Sequence, residues 1–380
     1  MNSKKIYISG RAEGSYRTQN LIKVLLDNKY ELFYNSIHFS FLSNAKGLKK
    51  IIRIILRLID ESFKRIYIIY NIYLCDILIQ PAICNDFRFE INVAKFFNKT
   101  IIVDFYISIY DTMILDRKSY EIGSRKANYY YNLDLNSLKK ADFVFFLNKT
   151  EANYYLFPFK INFNPSKHII LPLCVEETLK CKLNYYSNKN LTFNICWWGN
   201  YIPLHGLEVI LEAMSILNNS GELNFHFHMF GNKNKLKETK YKNIIKNLGI
   251  QNNVTIENSF TFKNGKLSDF LKENCHLVLG NFGNSSKAKN VLVNKVIDGV
   301  AMKSPVLNGE SLAPKDYFRN ESIFYTENKP ELISKKILEI SRLSLDEVNS
   351  RVLKSYQVYE QNFSIDSFYD NLNHFFSTKL

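Results

Sequence analysis

The sequence predicts an α/β protein built from two doubly wound units, and three observations support that class. Short apolar runs alternate with amphipathic segments along most of the chain, an order that favours parallel sheets covered by helices. At 380 residues the chain is long enough for two domains of ordinary size. Because 46% of its residues are hydrophobic, it can bury a core in each.

The first unit is expected to start with a strand at residues 4–9 and an amphipathic helix from about Tyr16 to Asp27. Later apolar runs predict strands at residues 30–35, 76–80, 100–105 and 142–147. Helices are predicted at 48–70 and 90–97. Another predicted helix ends at Lys140, and a further one begins at Thr150. A polar stretch without clean periodicity follows residues 169–171, and we place the domain junction there.

The second unit is expected to begin with the apolar run LTFNICWWGN, which breaks at Gly199. A predicted helix, the strand FHFHMFGN, the segment LVLGNFGNSSKAKN and the helix before VLNG follow it. After residue 351, apolar and aromatic residues at helical spacing predict terminal helices. A strand, a glycine turn and a helix in this order present backbone N–H groups to phosphates.

The charge balance of the chain points to anionic partners. Fifty Lys and Arg residues against 36 Asp and Glu give a net charge of +14, which favours phosphorylated substrates or anionic lipid. No nucleic acid partner is expected, because no nucleic-acid-binding motif is present. Six scattered cysteines without a C-x-x-C pair predict buried thiols. With no signal peptide and no clean apolar span, we expect a cytoplasmic protein.

Residues 46–64 suggest an association with the inner face of the cell membrane. Lysine and arginine recur there at steps of three and four residues, and isoleucine and leucine fill much of the remainder. This pattern predicts a basic amphipathic helix that suits an anionic membrane surface. A core-packed helix with a solvated basic face is the alternative, and the two interpretations are compatible.

Candidate ligand-binding residues follow the strands of the second unit. Gly199 ends a predicted strand and Gly206 lies near a helix start, so the loop between them can approach a ligand. His205 in this loop could donate a hydrogen bond to a phosphate. Lys287 and Lys295 flank another predicted helix start. Asp298, one helical turn after Asn294, could accept hydrogen bonds from a ribose diol. The alternative is a Rossmann-like domain in which these are solvated helix residues and His205 is structural.

The segments WGNYIPLHG and NVLVNKVIDGVAMKSPV resemble the donor-binding half of family 4-type retaining glycosyltransferases of the GT-B fold. The resemblance implies two Rossmann-like domains facing a cleft, residues 1–175 for the acceptor and 191–351 for the donor. Helices in 352–380 would cross back onto the N-terminal domain. His205 then holds the family's basic position, Asn200 replaces its usual arginine, and Asn290 and Asp298 align with its paired glutamates.

The segment FGNSSKAKNVLVNK resembles a bacterial surface-polysaccharide subgroup in which a lysine ahead of the motif stands in for the missing cations. By that resemblance Lys287 contacts the donor diphosphate and acts in catalysis. Asn294 and Lys295 would frame the phosphate loop, with Phe282 and Gly283 in the turn before it.

Two N-terminal segments supply candidates for the acceptor side. GRAEGSYRT follows the first strand, so Gly10, Arg11, Gly14, Ser15 and Arg17 could contact the acceptor or diphosphate, or form a plain basic loop. VDFYISIYDTMILDRK runs off another strand and is similar to a segment of the same subgroup. We expect Asp111 to act in catalysis by contacting a sugar; the alternative is a helix N-cap.

The resemblance implies a metal-independent retaining hexosyltransferase without a cofactor. It would move a sugar from a UDP- or GDP-linked donor to a glycan or lipid-linked acceptor in surface polysaccharide synthesis. A GT-B-type nucleotide-sugar epimerase and a non-catalytic basic nucleotide- or membrane-binding protein are the alternatives. His226 and His228 share a strand without a third ligand nearby in sequence, so we expect structural roles and no metal site.

Overall fold

The structure is a computed structural model that describes residues 4–10, 15–34, 62–81, 88–175 and 192–380. The chain divides into two compact units, Met1–Leu147 with Tyr155–Leu171 and Asn148–Tyr154 with Pro172–Leu380. Each unit contains one six-stranded sheet whose paired strands all run parallel. The predicted α/β class with two doubly wound sheets is confirmed.

In the first unit the sheet order is β2-β1-β3-β4-β5-β6. The strands are β1 (Lys5–Ile8), β2 (Glu31–Tyr34), β3 (Ile77–Gln80), β4 (Thr100–Asp104), β5 (Phe143–Phe146) and β6 (His168–Ile170). The helices before β6 are α1 (Tyr16–Asp27), α2 (62–74), α3 (Arg88–Phe96), α4 (Arg125–Lys140) and α5 (Lys149–Leu156), and most of α5 belongs to the stretch grouped with the second unit. Strand β3 is buried along its whole length, as a central parallel strand covered on both faces should be.

In the second unit the sheet order is β12-β11-β10-β7-β8-β9. Its strands are β7 (Phe193–Trp198), β8 (Phe225–Phe230), β9 (Val254–Glu257), β10 (Leu277–Leu279), β11 (Val306–Gly309) and β12 (Phe324–Thr326). Its helices are α6 (Leu207–Ser220), α7 (Lys235–Asn247), α8 (Lys266–Asn274), α9 (Ser286–Asn290), α10 (Asn294–Ala301), α11 (Pro330–Ser341), α12 (Leu345–Asn362) and α13 (Ile365–Lys379). The core of this unit packs α6, α7 and α11 on the sheet.

Most predicted elements are present, with three differences. The helix predicted at 48–70 is described only from residue 62 and continues to residue 74; residues 35–61 lie outside the described part. Helices α7, α8 and α11 and strands β9 and β12 occupy residues for which we predicted no element. The terminal helices are present as α12 and α13 and are grouped with the second unit, so the packing of this tail on the first unit stays a prediction.

Two further observations concern thiols and membrane spans. Cys75, Cys174, Cys196 and Cys275 are buried thiols, as predicted, whereas Cys84 and Cys181 lie outside the described residues. Within the described residues, no helix combines the length and the apolar character that crossing a bilayer requires.

A buried ion pair joins three elements of the first unit. Arg17 of α1 donates from Nε to both carboxylate oxygens of Asp104, at 3.0 and 2.8 Å, where β4 ends. Its Nη2 donates to the carbonyl oxygen of Leu171 at 3.0 Å, just after β6. The Arg17 side chain is only 1% exposed. Its prediction as an acceptor-side contact is therefore not supported, since the guanidinium is buried and occupied within the unit.

We expect Arg17→Met to destabilise the protein by about 3–5 kcal/mol, because it leaves the Asp104 carboxylate buried without its cation. The matched control is Lys95→Met, which removes an exposed ion pair with Asp142 and should cost at most about 1 kcal/mol. Denaturant unfolding measures both free energies. Equal losses in the two variants would show that the Arg17 pair does not hold the unit together.

Candidate functional site

The sheet of the second unit has a switch point between β7 and β10. The chain continues from β7 to β8 on one side and from β10 to β11 on the other. Open α/β sheets bind ligands at the carboxyl ends of the strands where the order reverses in this way. The predicted donor residues follow these two strands, in the segments 199–206 and 282–298.

The two loops at this switch point touch backbone to backbone. A Cβ atom on Gly206 would lie 2.4 Å from the carbonyl carbon of Phe282, and one on Gly283 would lie 2.3 Å from the Leu204 oxygen. The Phe282 N–H donates to the His205 carbonyl oxygen at 3.3 Å. Gly206 also has a φ of 62°, the left-handed conformation that favours glycine. The position of His205 therefore depends on glycine in both loops.

Three asparagine side chains brace the second loop. Asn308 Oδ1 accepts from the Asn281 N–H at 2.8 Å, and Asn281 Nδ2 donates to the Ala288 oxygen at 2.8 Å. Asn328 Nδ2 donates to the Gly283 oxygen at 2.8 Å. We did not predict these roles. The sequence offered a signal for two of them: Asn281 follows an apolar run in LVLGN, and Asn308 interrupts one in VLNG.

His205 and Lys295 form a buried pair. Lys295 Nζ lies 2.9 Å from His205 Nδ1, within hydrogen-bonding distance, and the two residues are 3% and 7% exposed, respectively. An ammonium group can only donate, so beside a charged Lys295 the neutral imidazole accepts at Nδ1 and carries its proton on Nε2. A Cβ atom on Gly199 would lie 3.4 Å from His205 Nε2 and 3.6 Å from Lys295 Nζ. Glycine at this position thus leaves space in front of two nitrogen donors.

Burial dominates the electrostatics of this pair. It lowers the pKa of Lys295 well below the ordinary value for lysine, and the nearby Asp298 carboxylate partly opposes that shift. Burial and then the Lys295 charge lower the pKa of His205 well below its ordinary value, so the imidazole is neutral at neutral pH. The Lys295 ammonium also lies 4.6 Å from the centroid of the Trp197 ring, a cation–π contact.

Asp298 lies beside the pair and bonds to a tryptophan. Trp198 Nε1–H donates to Asp298 Oδ2 at 3.2 Å. Burial raises the pKa of Asp298 to about 7, against the opposing effects of the Trp198 hydrogen bond and the Lys295 charge. The Trp198 ring also meets Phe262 edge-on, with centroids 6.0 Å apart. We did not predict a role for either tryptophan, although the pair directly precedes Gly199 in the sequence.

The remaining donor-side candidates lie on adjoining segments. Lys287 is buried in α9, a short helix that packs against residues 203–205. Lys287 and Lys295 therefore lie on either side of the start of α10, as predicted, and the extended Val291 ends α9 between them. Asn294 is the first residue of α10.

Asn290 and Asn200, two further donor-side candidates, make local hydrogen bonds. Asn290 Nδ2 donates to the Ser286 oxygen of its own helix at 2.8 Å. Asn200 Oδ1 accepts from Asn232 Nδ2 at 2.9 Å. Of the predicted donor residues, the structure thus brings Gly199, Gly206 and Asp298 together with the His205–Lys295 pair and the 282–283 turn.

In the first unit, Asp111 is buried and begins a π-helical segment, Asp111–Asp116. Ser108 Oγ accepts from the Asp111 N–H at 3.0 Å and donates to Asp134 Oδ2 at 2.7 Å. The N-terminal cap is thus Ser108 and not the Asp111 carboxylate. Burial raises the pKa of Asp134 to about 6. Segments of π-helix are frequent at functional sites, which keeps Asp111 a candidate.

The predicted loop after β1 is only partly described. Gly10 is exposed, with a φ of 92°, and Ser15 is the N-cap residue of α1 without a side-chain hydrogen bond to the helix. Arg11 and Gly14 lie outside the described residues. The acceptor-side role of these residues stays a prediction.

His226 and His228 have hydrogen-bonding partners in the sheet, as expected for structural histidines. His226 Nε2 lies 2.7 Å from Thr255 Oγ1, and His228 Nε2 lies 3.2 Å from Asn194 Oδ1. In the part of the chain that the structure describes, no group of three or more His, Cys, Asp or Glu side chains is arranged to hold a metal ion.

Comparison with known proteins relates the chain to solved structures. No protein-family model and no curated protein sequence matches it. A glycosyltransferase from Rickettsia africae is 18% identical, with a TM-score of 0.68 over 99% of this chain and 98% of that one. HepE from Anabaena, solved with UDP, is 9% identical, with a TM-score of 0.72 over 99% and 100% of the chains.

The lipopolysaccharide outer core galactosyltransferase WaaB is 12% identical, with a TM-score of 0.61 over 99% of this chain and 100% of that one. Such matches run through both units from end to end. The fold is therefore GT-B, as the resemblance of the sequence motifs implied.

We expect Gly206→Ala to destabilise the protein more than Gly221→Ala. Both glycines have left-handed φ angles, 62° and 65°, so each variant carries the backbone cost of about 1–2 kcal/mol. Only at position 206 does the new methyl group also meet another loop, which adds about 1–3 kcal/mol. Chemical unfolding compares them, and equal losses would argue against the loop contact.

Proposed function

We propose that this chain is a retaining glycosyltransferase. It moves a sugar from a UDP- or GDP-linked donor to a glycan or lipid-linked acceptor in surface polysaccharide synthesis, at the inner face of the cell membrane. The single observation that carries the proposal is the cluster of Gly199, His205, Lys295 and Asp298 at the switch point of the second sheet. HepE, which has the same fold, has been solved with UDP and with UDP-glucose, and this supports the proposal.

The donor diphosphate would occupy the space in front of Gly199. The Nε2–H of His205 and the ammonium of Lys295 both border that space. A buried cation whose hydrogen-bond partner is a neutral imidazole is unfavourable until an anion arrives, so the cluster is suited to a phosphate oxygen. Lys287 and the N-terminus of α10 would add positive potential.

The Asp298 carboxylate would accept hydrogen bonds from the ribose hydroxyls. Its bond from Trp198 Nε1–H fixes the orientation of one oxygen and leaves the other for a ligand. An ionised carboxylate is the stronger hydrogen-bond acceptor for a diol. The Trp198 hydrogen bond and the Lys295 charge both favour the ionised form of Asp298.

The chemistry would rest on electrostatic stabilisation of the leaving diphosphate by Lys295, His205 and Lys287. As the bond from the sugar to the diphosphate breaks, the acceptor hydroxyl bonds to the anomeric carbon from the same face. Its proton passes to a phosphate oxygen of the donor. Asp111 would contact the acceptor or the donor sugar, and no step in this scheme requires a metal ion or a cofactor.

Thermal unfolding in the presence of nucleotides tests the donor class. We expect UDP or GDP, and the matching nucleotide sugars, to stabilise the protein by about 2.7 kcal/mol at 100 times the dissociation constant. The stabilising nucleotide sugar should then give up its sugar to an acceptor with the anomeric configuration kept, as seen by proton NMR of the product. Absence of stabilisation by every nucleotide would contradict the proposal.

The variant Lys295→Met tests whether Lys295 binds the ligand or has a structural role. We expect it to weaken nucleotide diphosphate binding by about 1.5–3 kcal/mol, the value of a charge-assisted hydrogen bond. The free protein should lose no stability, because the variant removes a buried charge without a full counter-charge. Calorimetric titration and unfolding measure the two effects, with the exposed Lys289→Met as control. A loss of stability with unchanged affinity would make Lys295 structural.

A further inference from the structure

Helix α2 of the first unit exposes an aromatic face. Its inward side is formed by Asn71 and Ile72, which are buried, and the buried Cys75 follows directly after the helix. The outward side carries large apolar and aromatic residues at steps of three and four: Phe63, Ile66, Tyr67, Tyr70 and Tyr73. Phe63 is 68% exposed and Tyr73 is 58% exposed. An outward helix face of a globular unit is ordinarily polar, so an exposed apolar face of this kind indicates a binding surface.

The aromatic face extends beyond α2 to the end of α3. The Tyr73 ring meets Phe97 edge-on at 5.4 Å between centroids, and Phe97 meets Phe96 at 5.0 Å. Phe96 is 78% exposed. We define the aromatic face as Phe63, Ile66, Tyr67, Tyr70, Tyr73 and Phe96. Residues from two helices thus form one apolar surface, larger than the scattered single side chains found on any protein.

The charges around this face are positive. Residues 62–74 include Lys64 and Arg65 and no Asp or Glu. The Arg65 guanidinium lies 5.4 Å from the Phe89 centroid, and Lys99 Nζ lies 6.0 Å from the Tyr73 centroid. Cations therefore lie among the aromatic rings.

This combination suits a lipid surface better than another copy of the chain. Two copies, each with a net charge of +14, repel one another, whereas an anionic bilayer attracts the face. Tyrosine is the commonest residue on the aromatic face, and its amphipathic ring prefers the level of the lipid headgroups.

We propose that the aromatic face docks this protein on an anionic lipid bilayer, with the aromatic rings at the headgroup level and Arg65 and Lys99 against lipid phosphates. The face lies in the first unit and is separate from the donor cluster in the second. The proposal rests on the proposed function only for the membrane location; it does not require residues 46–61, and glycosyl transfer is tested separately.

Co-sedimentation with vesicles tests the proposal on the full chain. We expect the protein to pellet with vesicles of equal parts phosphatidylcholine and phosphatidylglycerol and to stay in solution with phosphatidylcholine alone. The variant Phe63→Ser with Tyr70→Ser should lower the partition coefficient at least about tenfold, since each ring that enters the interface contributes apolar burial. The matched control is Leu236→Ser, which removes a side chain that is 87% exposed in the second unit.

Tyr70→Trp adds a direct reporter of contact. The natural tryptophans, Trp197 and Trp198, are buried in the second unit, so a new exposed indole dominates the change in emission. We expect a shift to shorter wavelength with anionic vesicles only. Unchanged emission, or equal binding of the double serine variant and the control, would overturn the proposal.

Two further readouts separate the alternatives. Light scattering that finds a dimer in the wild type and a monomer in the double serine variant would assign the face to a second copy and overturn the proposal. Nucleotide binding and thermal unfolding of the double serine variant should match the wild type, because both side chains are exposed. Loss of nucleotide binding in Lys295→Met has no bearing on vesicle binding, so the two proposals fail separately.

Discussion

The burial of the Lys295 ammonium at the switch point of the second sheet is the interaction on which the account of this protein depends. The ammonium has a neutral imidazole as its hydrogen-bond acceptor and a tryptophan ring beneath it. Neither carries a negative charge, and burial raises the pKa of the nearby Asp298 to about 7. The surroundings hold His205 in place through the contact between the Gly206 and Gly283 loops and through the asparagines that brace them.

Two buried cations, Arg17 and Lys295, illustrate the difference between a structural and a ligand-binding charge. Arg17 has a carboxylate that accepts twice and a backbone carbonyl, so its charge is compensated within the first unit. Lys295 has no such carboxylate in its hydrogen bonds among the described residues, and burial lowers its pKa. Removing one partner of a compensated buried pair destabilises a fold, whereas an uncompensated buried charge already costs stability that an incoming anion can return.

The parts of this arrangement that follow from local sequence could be predicted. Apolar runs ending at glycine identified β7 and its loop, and helical spacing placed Asp298 one turn after Asn294. Contacts between distant segments could not be predicted in this way. The Trp198–Asp298 bond, the Arg17–Asp104 pair and the packing of Phe282 on Gly206 each join residues that are far apart in the chain.

Element boundaries show the same limit. Two lysines eight residues apart flank one helix start, that of α10, but the short helix α9 that carries Lys287 and ends before the extended Val291 was not predicted. Helix α7 escaped prediction because it is mostly polar and buries only Tyr241 and Ile245. Two buried residues are too few to identify a helix from its sequence without the sheet on which it packs. The aromatic face of α2 could not be assigned from sequence because its apolar residues look like core residues until their exposure is known.

The most direct test of the central claim is the number of protons taken up when UDP or GDP binds. Calorimetric titration at about pH 8, where a carboxyl with a pKa near 7 is mostly ionised, in two buffers of different ionisation enthalpy gives this number. Burial lowers the pKa of Lys295 and an arriving diphosphate raises it again, so the account predicts net proton uptake at this and higher pH that is lost in Lys295→Met. Heats that do not depend on the buffer, or uptake that persists in Lys295→Met, would contradict the account.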